Sequence, residues 1–131
     1  MQPKKILLAE DDADDRLFFF DFLHQRKDIS LLKAVENGEE VFAFLEKAEG
    51  LPDLIILDQN MPRCNGLQAL EMLKSKSAYV DIPVFVYSTH ANERLRQQSM
   101  ALGAALVLPK PLTFEGYHEM VDAFLLAAGY L

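Results

Sequence analysis

The chain has one cysteine, Cys64, among its 131 residues. That excludes an internal disulfide framework and any zinc site built from several thiolates, and it fits a reducing compartment such as the cytoplasm. Long apolar runs are missing too. The opening Met1-Gln2-Pro3-Lys4-Lys5 leads into a short aliphatic stretch that already meets an acid at Glu10, so neither a signal peptide nor a membrane span is readable. Cations are in the minority, 13 against 20 acids, for a net charge of −7. A surface of that sign repels phosphate backbones, which argues against nucleic-acid binding by this chain alone. Glycine and proline are sparse, six of each, and no repeat, linker or low-complexity segment is visible. Half hydrophobic and a quarter charged, a chain of this length reads as one globular domain, 1–131, whose core needs no covalent staple.

Short aliphatic runs alternate with longer amphipathic ones. Ile6-Leu7-Leu8-Ala9 reads as a buried strand that stops at Glu10. Asp12 can then cap a helix reaching Arg26, with Leu17, Phe18, Phe20, Phe22 and Leu23 as apolar members. Ser30 to Val35 is a second strand, and Asn37-Gly38 turns into a helix whose Val41, Phe44, Leu45 and Ala48 share a face. Leu54 to Leu57 is the third strand, ending on Asp58, and a loop with Pro62 and Gly66 precedes a helix over Leu67 to Lys74. Val84 to Tyr87 and Ala105 to Leu108 complete the strands. Helices over Asn92 to Leu102 and from Phe114 past Leu125 complete the alternation, with Gly103 as a stop. Continuous apolar strands separated by helices predict an α/β fold: a doubly wound, five-stranded parallel sheet with five helices, a flavodoxin-like sandwich.

In such a sheet, ligands bind beyond the carboxyl ends of the strands. Those ends carry Glu10-Asp11-Asp12, Asp58, Ser88-Thr89 and Lys110, so the polar chemistry falls on one edge. Taken singly, each has an ordinary explanation. Asp12, Asp14 and Asp15 suit a solvated helix start, Asp58 a loop cap, and Lys110 a surface amine lying over the final helix. Together they suggest a site. Two unit charges ~4 Å apart repel by about 4 kcal/mol at an effective dielectric near 20, so gathering Glu10, Asp11 and Asp58 calls for a cation. Oxygen donors without a His or Cys cluster select a hard ion, Mg²⁺ or Mn²⁺. A carboxylate nucleophile, a metal, a lysine and a hydroxyl are the parts needed to take up a phosphoryl group.

Ile6 to Asp12, Leu54 to Gly66 with Asp58-Gln59-Asn60-Met61-Pro62, Ser88 after Val84 to Tyr87, and Lys110-Pro111 resemble the receiver domain of two-component response regulators. Ala34 with Glu36-Asn37-Gly38-Glu39-Glu40 matches that family's second strand and turn, and the likeness runs from Lys5 to Leu126. The resemblance implies a stand-alone receiver in the cytoplasm, monomeric or weakly dimeric, that binds neither nucleic acid nor membrane. It implies phosphorylation by a histidine kinase or histidine phosphotransfer protein, and a downstream protein target.

Carried over by residue, Asp58 is the phosphoacceptor and Asp11 and Asp58 ligate Mg²⁺ directly. Asn60 does so through its carbonyl, and Glu10 mostly through water. Ser88 is the switch hydroxyl, Lys110 pairs with Asp58 or its phosphoryl group, and the Lys110–Pro111 bond is cis. Three positions depart from the pattern. Val107 stands where the family commonly has an aromatic ring, Thr89 where a small residue is common at the phosphoryl site, and Leu112 where Phe is frequent. Cys64 lies in the active-site loop with nothing near it in sequence to activate its thiol. Rival functions are a flavodoxin-like cofactor binder, a metal-dependent phosphatase and a degenerate receiver that only binds partners. The first lacks a phosphate-holding loop after strand one, and the second lacks a proton-exchanging residue at Asn60. The third fits poorly with the complete set of Asp11, Asp58, Ser88 and Lys110.

Overall fold

The computed structural model describes residues 2–131. Strands and helices alternate as β1 (Lys4–Ala9), α1 (Ala13–Leu23), β2 (Ile29–Val35), α2 (Gly38–Lys47), β3 (Leu54–Asp58), α3 (Gly66–Lys74), β4 (Val84–Ser88), α4 (Glu93–Ala101), β5 (Leu106–Pro109) and α5 (Phe114–Ala127). The strands form one parallel sheet in the order β2-β1-β3-β4-β5. This is the doubly wound architecture the sequence predicts. Because β1 has β2 on one side and β3 on the other, the winding reverses between β1 and β3, and a crevice opens at their carboxyl ends.

Both faces of the sheet are buried, and side chains alternate between them with period two. Ile6, Leu8, Leu54, Ile56, Phe85 and Tyr87 pack under α1 and α5 with Phe19, Phe22, Tyr117, Val121 and Phe124. Leu7, Ala9, Ile55, Leu57, Val84, Val86 and Val107 pack under α2, α3 and α4 with Val41, Leu45, Leu70, Leu73 and Leu95. Each helix begins at a polar cap whose side chain accepts from the third helical N–H. The caps are Asp12, Asn37, Asn65, Asn92 and Thr113, and Asn65 forms a reciprocal capping box with Gln68. Each cap stabilises its helix start by about 1 kcal/mol.

The first helix departs from expectation. It ends at Leu23 rather than Arg26, and the N–H groups of Gln25 and Arg26 turn back to Phe22 and Leu23. Arg26 leaves the helix to pair with Asp28 and Asp122, each at 2.7 Å, tying the entry of β2 to α5. In the Leu17-Phe18-Phe19-Phe20 run, Phe19 is fully buried, whereas Leu17 and Phe20 are exposed. Four consecutive apolar residues span more than one face of a helix, so only the docked position selects the inward one.

Candidate functional site

Alternation along the strands decides which charges meet. Ile6 and Leu8 face α1 and α5, and so does Glu10 two residues on; the same parity carries Leu54 and Ile56 to Asp58, and Phe85 to Tyr87. Ala9 lies opposite Leu57 in the register, which sets Glu10 and Asp58 side by side one step later. Asp11 leads from β1 toward the Asp12 cap of α1. Carboxylate oxygens of Glu10, Asp11 and Asp58 all lie within 4.8 Å of one another, with Glu10 and Asp58 buried and Asp11 exposed.

The two buried acids have different partners. Oε1 of Glu10 accepts from the Tyr87 hydroxyl at 2.6 Å and pairs with Lys110 Nζ at 2.8 Å. Its Oε2 accepts from the Asp12 N–H at 3.2 Å. Asp58 is less favourably placed: Lys110 Nζ stands 3.4 Å from Oδ2, and the Asn60 N–H donates to Oδ1 at 3.3 Å. Burial first, and then the neighbouring Glu10, push the Asp58 carboxyl up to about 8, against the opposing pull of Lys110. Burial also works against the Lys110 cation, but its bond to Glu10 and the charges around it outweigh that and raise it above the ordinary lysine value. The Tyr87 phenol is pushed well above its usual range by burial and then by the Glu10 charge, so it stays a donor.

The remaining predicted residues sit around this cluster. Ser88 ends β4, is buried, and accepts from the His90 N–H through Oγ at 3.2 Å, which leaves its own proton free to donate. The Lys110 N–H bonds the Ser88 carbonyl at 3.1 Å and locks the two strand ends together. Thr89 and Asn60 are exposed beside the buried pair of Ser88 and Asp58. Beneath the loop after β3, Gly66 packs so closely that a Cβ there would stand 2.7 Å from the Asp58 carbonyl. The Gly66 N–H bonds the Gln59 carbonyl, and the Leu67 N–H bonds the Gln59 side chain, so the loop is pinned from both sides. Cys64 is buried against Gly38, and burial followed by the Glu39 charge pushes its thiol up, consistent with an inert packing residue.

One expectation is corrected. Among the described residues no peptide bond is cis, so Lys110–Pro111 is trans, the form an X–Pro bond favours by about 0.5–1 kcal/mol. Lys110 reaches the acids from that geometry. Two contributors were not singled out from sequence. Asp15 had an ordinary explanation as part of a solvated helix start, yet it pairs with Lys110 at 3.0 Å. Tyr87 reads as strand core, and its only signal is the shared parity with Glu10.

Three carboxylates, two of them buried and crowded, with no nitrogen or sulfur donor, fit a hard divalent cation. A cation there relieves their mutual repulsion. A buried acid within reach of a lysine and next to a strand-end hydroxyl is a phosphoryl-accepting arrangement. The chain matches the response regulator receiver domain over residues 6–122. It belongs to that family. The receiver is a phosphoacceptor signalling domain of two-component systems, and its Glu10, Asp11 and Asp58 cluster fits the family's Mg²⁺ site.

This receiver is 34% identical over 115 residues to a protein-glutamate methylesterase/protein-glutamine glutaminase of Treponema pallidum (strain Nichols), covering 86% of this chain and 28% of that protein. The chain thus spans under a third of that relative's length. Among solved structures, the phosphorylated cyanobacterial phytochrome response regulator RcpA is 28% identical with a TM-score of 0.77, covering 97% of this chain and 90% of that one. The Mn²⁺-bound form of response regulator Rcp1 is 29% identical with a TM-score of 0.75, covering 97% and 91%.

Proposed function

We propose that Asp58 accepts a phosphoryl group from a phosphohistidine on a histidine kinase or phosphotransfer protein. The observation that carries this is the placement of Asp58, 1% exposed, between the Glu10 and Asp11 carboxylates and the Lys110 ammonium. An Asp58 oxygen attacks phosphorus, the P–N bond breaks, and the departing imidazole nitrogen takes up a proton. Lys110 neutralises charge on the phosphoryl oxygens and Ser88 Oγ donates to one of them. Asp11, Asp58 and the Asn60 carbonyl would hold the ion directly and Glu10 mostly through water; the ion, Mg²⁺ in the cell with Mn²⁺ as a substitute, would supply positive charge to the phosphoryl oxygens and favour the ionised Asp58. Attack requires the carboxylate, and burial together with the Glu10 charge favours the protonated form of Asp58 until that charge is compensated.

Phosphorylation draws Ser88 and Lys110 toward Asp58, and both are rooted in β4 and β5. The surface of α4, β5 and α5 is therefore where a downstream protein reads the state. Val107 lacks a ring at its position on β5, so the rearrangement there is smaller than an aromatic one. We place the receiver in the cytoplasm, where its phosphoryl donors act, as a monomer or weak dimer. Among the described residues no helix is long and apolar enough to cross a membrane. The test is intact mass after incubation with acetyl phosphate or a phosphohistidine donor and Mg²⁺. Wild type gains about 80 Da, one covalently held phosphoryl group, and Asp58→Asn does not. An equal gain in the variant overturns the assignment.

A further inference from the structure

We propose that Tyr87 is a positioning residue for the cation site: its hydroxyl holds one oxygen of Glu10 so that the other stays available to a divalent ion, an inference that rests on the metal reading above. Glu10 is fully buried, so bulk water does not compete for its oxygens. A carboxylate oxygen offers two lone-pair sites. Both sites on Oε1 are taken, by Tyr87 at 2.6 Å and Lys110 at 2.8 Å. Oε2 accepts a single, longer bond from the Asp12 N–H at 3.2 Å and keeps a lone-pair site free, and one Glu10 oxygen lies within 4.8 Å of carboxylate oxygens of Asp11 and Asp58.

Of the two donors on Oε1, Tyr87 is the permanent one. Lys110 divides its charge among Glu10, Asp15 and Asp58, and its long flexible chain can leave for a phosphoryl group. Tyr87 has only two side-chain torsions and is enclosed in the core with Phe85, Tyr117 and Phe124. Its ring also lies under the Lys110 ammonium, 5.2 Å from centroid to Nζ, so one side chain supports both the carboxylate and the ammonium of the site. A hydrogen-bonding partner behind a metal ligand fixes the ligand's orientation, and its loss typically weakens metal binding 10–100-fold.

Calorimetric titration with Mg²⁺ of wild type, Tyr87→Phe, Glu10→Gln and the double variant tests this. Tyr87→Phe should weaken binding by about tenfold. In the Glu10→Gln background the same change should do nothing further, which a merely structural tyrosine would not predict. In wild type, the ¹³Cζ resonance of labelled Tyr87 should move as Mg²⁺ saturates and stay still in Glu10→Gln. Wild-type affinity in Tyr87→Phe, or an equal loss in both backgrounds, overturns the positioning role alone. A wild-type chain that binds no Mg²⁺ removes the metal reading and this role with it. Should Tyr87→Phe not fold, the labelled measurement decides: an unmoved Tyr87 resonance at saturating Mg²⁺ overturns the proposal.

Discussion

Asp58→Asn should stabilise the metal-free protein, and the gain should depend on pH. The wild-type carboxyl goes from an ordinary 3.8 to about 8 on folding. A shift of that size sets a ceiling of about 5 kcal/mol for ionising Asp58 in the folded state. Side-chain relaxation and water entry lower that figure, and about 2 kcal/mol is the expected gain. For an acid raised on folding, the favourable contribution is complete below the unfolded value near 3.8 and is lost as pH climbs toward 8. Asparagine has nothing to ionise. The gap between variant and wild type should therefore be near zero at pH 4 and widest above pH 8. At about 4 °C per kcal/mol for a domain of this size, Tm in EDTA at pH 8 should rise by about 8 °C. Millimolar Mg²⁺ should close the gap by raising the wild type, because the ion compensates the charge that asparagine removes. Thermal melts at several pH values, with EDTA or Mg²⁺, give the answer. A variant no more stable than wild type at pH 8 in EDTA, or a gap independent of pH, refutes the electrostatic account of Asp58.

Gly66→Ala should destabilise the fold by about 1–3 kcal/mol, since its Cβ would press on the Asp58 carbonyl and Gln59 backbone, and should weaken Mg²⁺ binding; denaturant midpoints and metal titration check both effects. Arg26→Ala should cost about 1–2 kcal/mol, mostly through lost packing and the α5 tether, because Asp28 and Asp122 are half-exposed and screened; urea melts at low and high salt measure the small salt-sensitive share. Thr89→Ala should speed loss of the phosphoryl group, since a branched side chain beside Ser88 narrows the approach of attacking water. About tenfold would correspond to ~1.4 kcal/mol of barrier, read from the decay of phosphorylated protein after the donor is removed.

The order of short apolar runs and amphipathic stretches was enough to determine the α/β class, since a strand buried on both faces and a helix buried on one require different patterns. The cap at Asp12 was also legible, because it acts within three residues of itself. So were Glu10, Asp11, Asp58, Ser88 and Lys110 as a common edge, since parallel strands point their carboxyl ends the same way. Partner choice across that edge was not legible. Asp15 looks like any acid in a first helical turn until α1 docks beside α5 and brings it within 3.0 Å of Lys110. Tyr87 looks like one more aromatic in a buried strand until the pairing of β1, β3 and β4 sets its hydroxyl on Glu10. The burial of Phe19 beside exposed Leu17 and Phe20 was likewise decided by docking. Local sequence selects which elements form and which chemistry stands at their ends; contacts between residues as far apart as Glu10 and Tyr87 exist only once the sheet has brought its strands together.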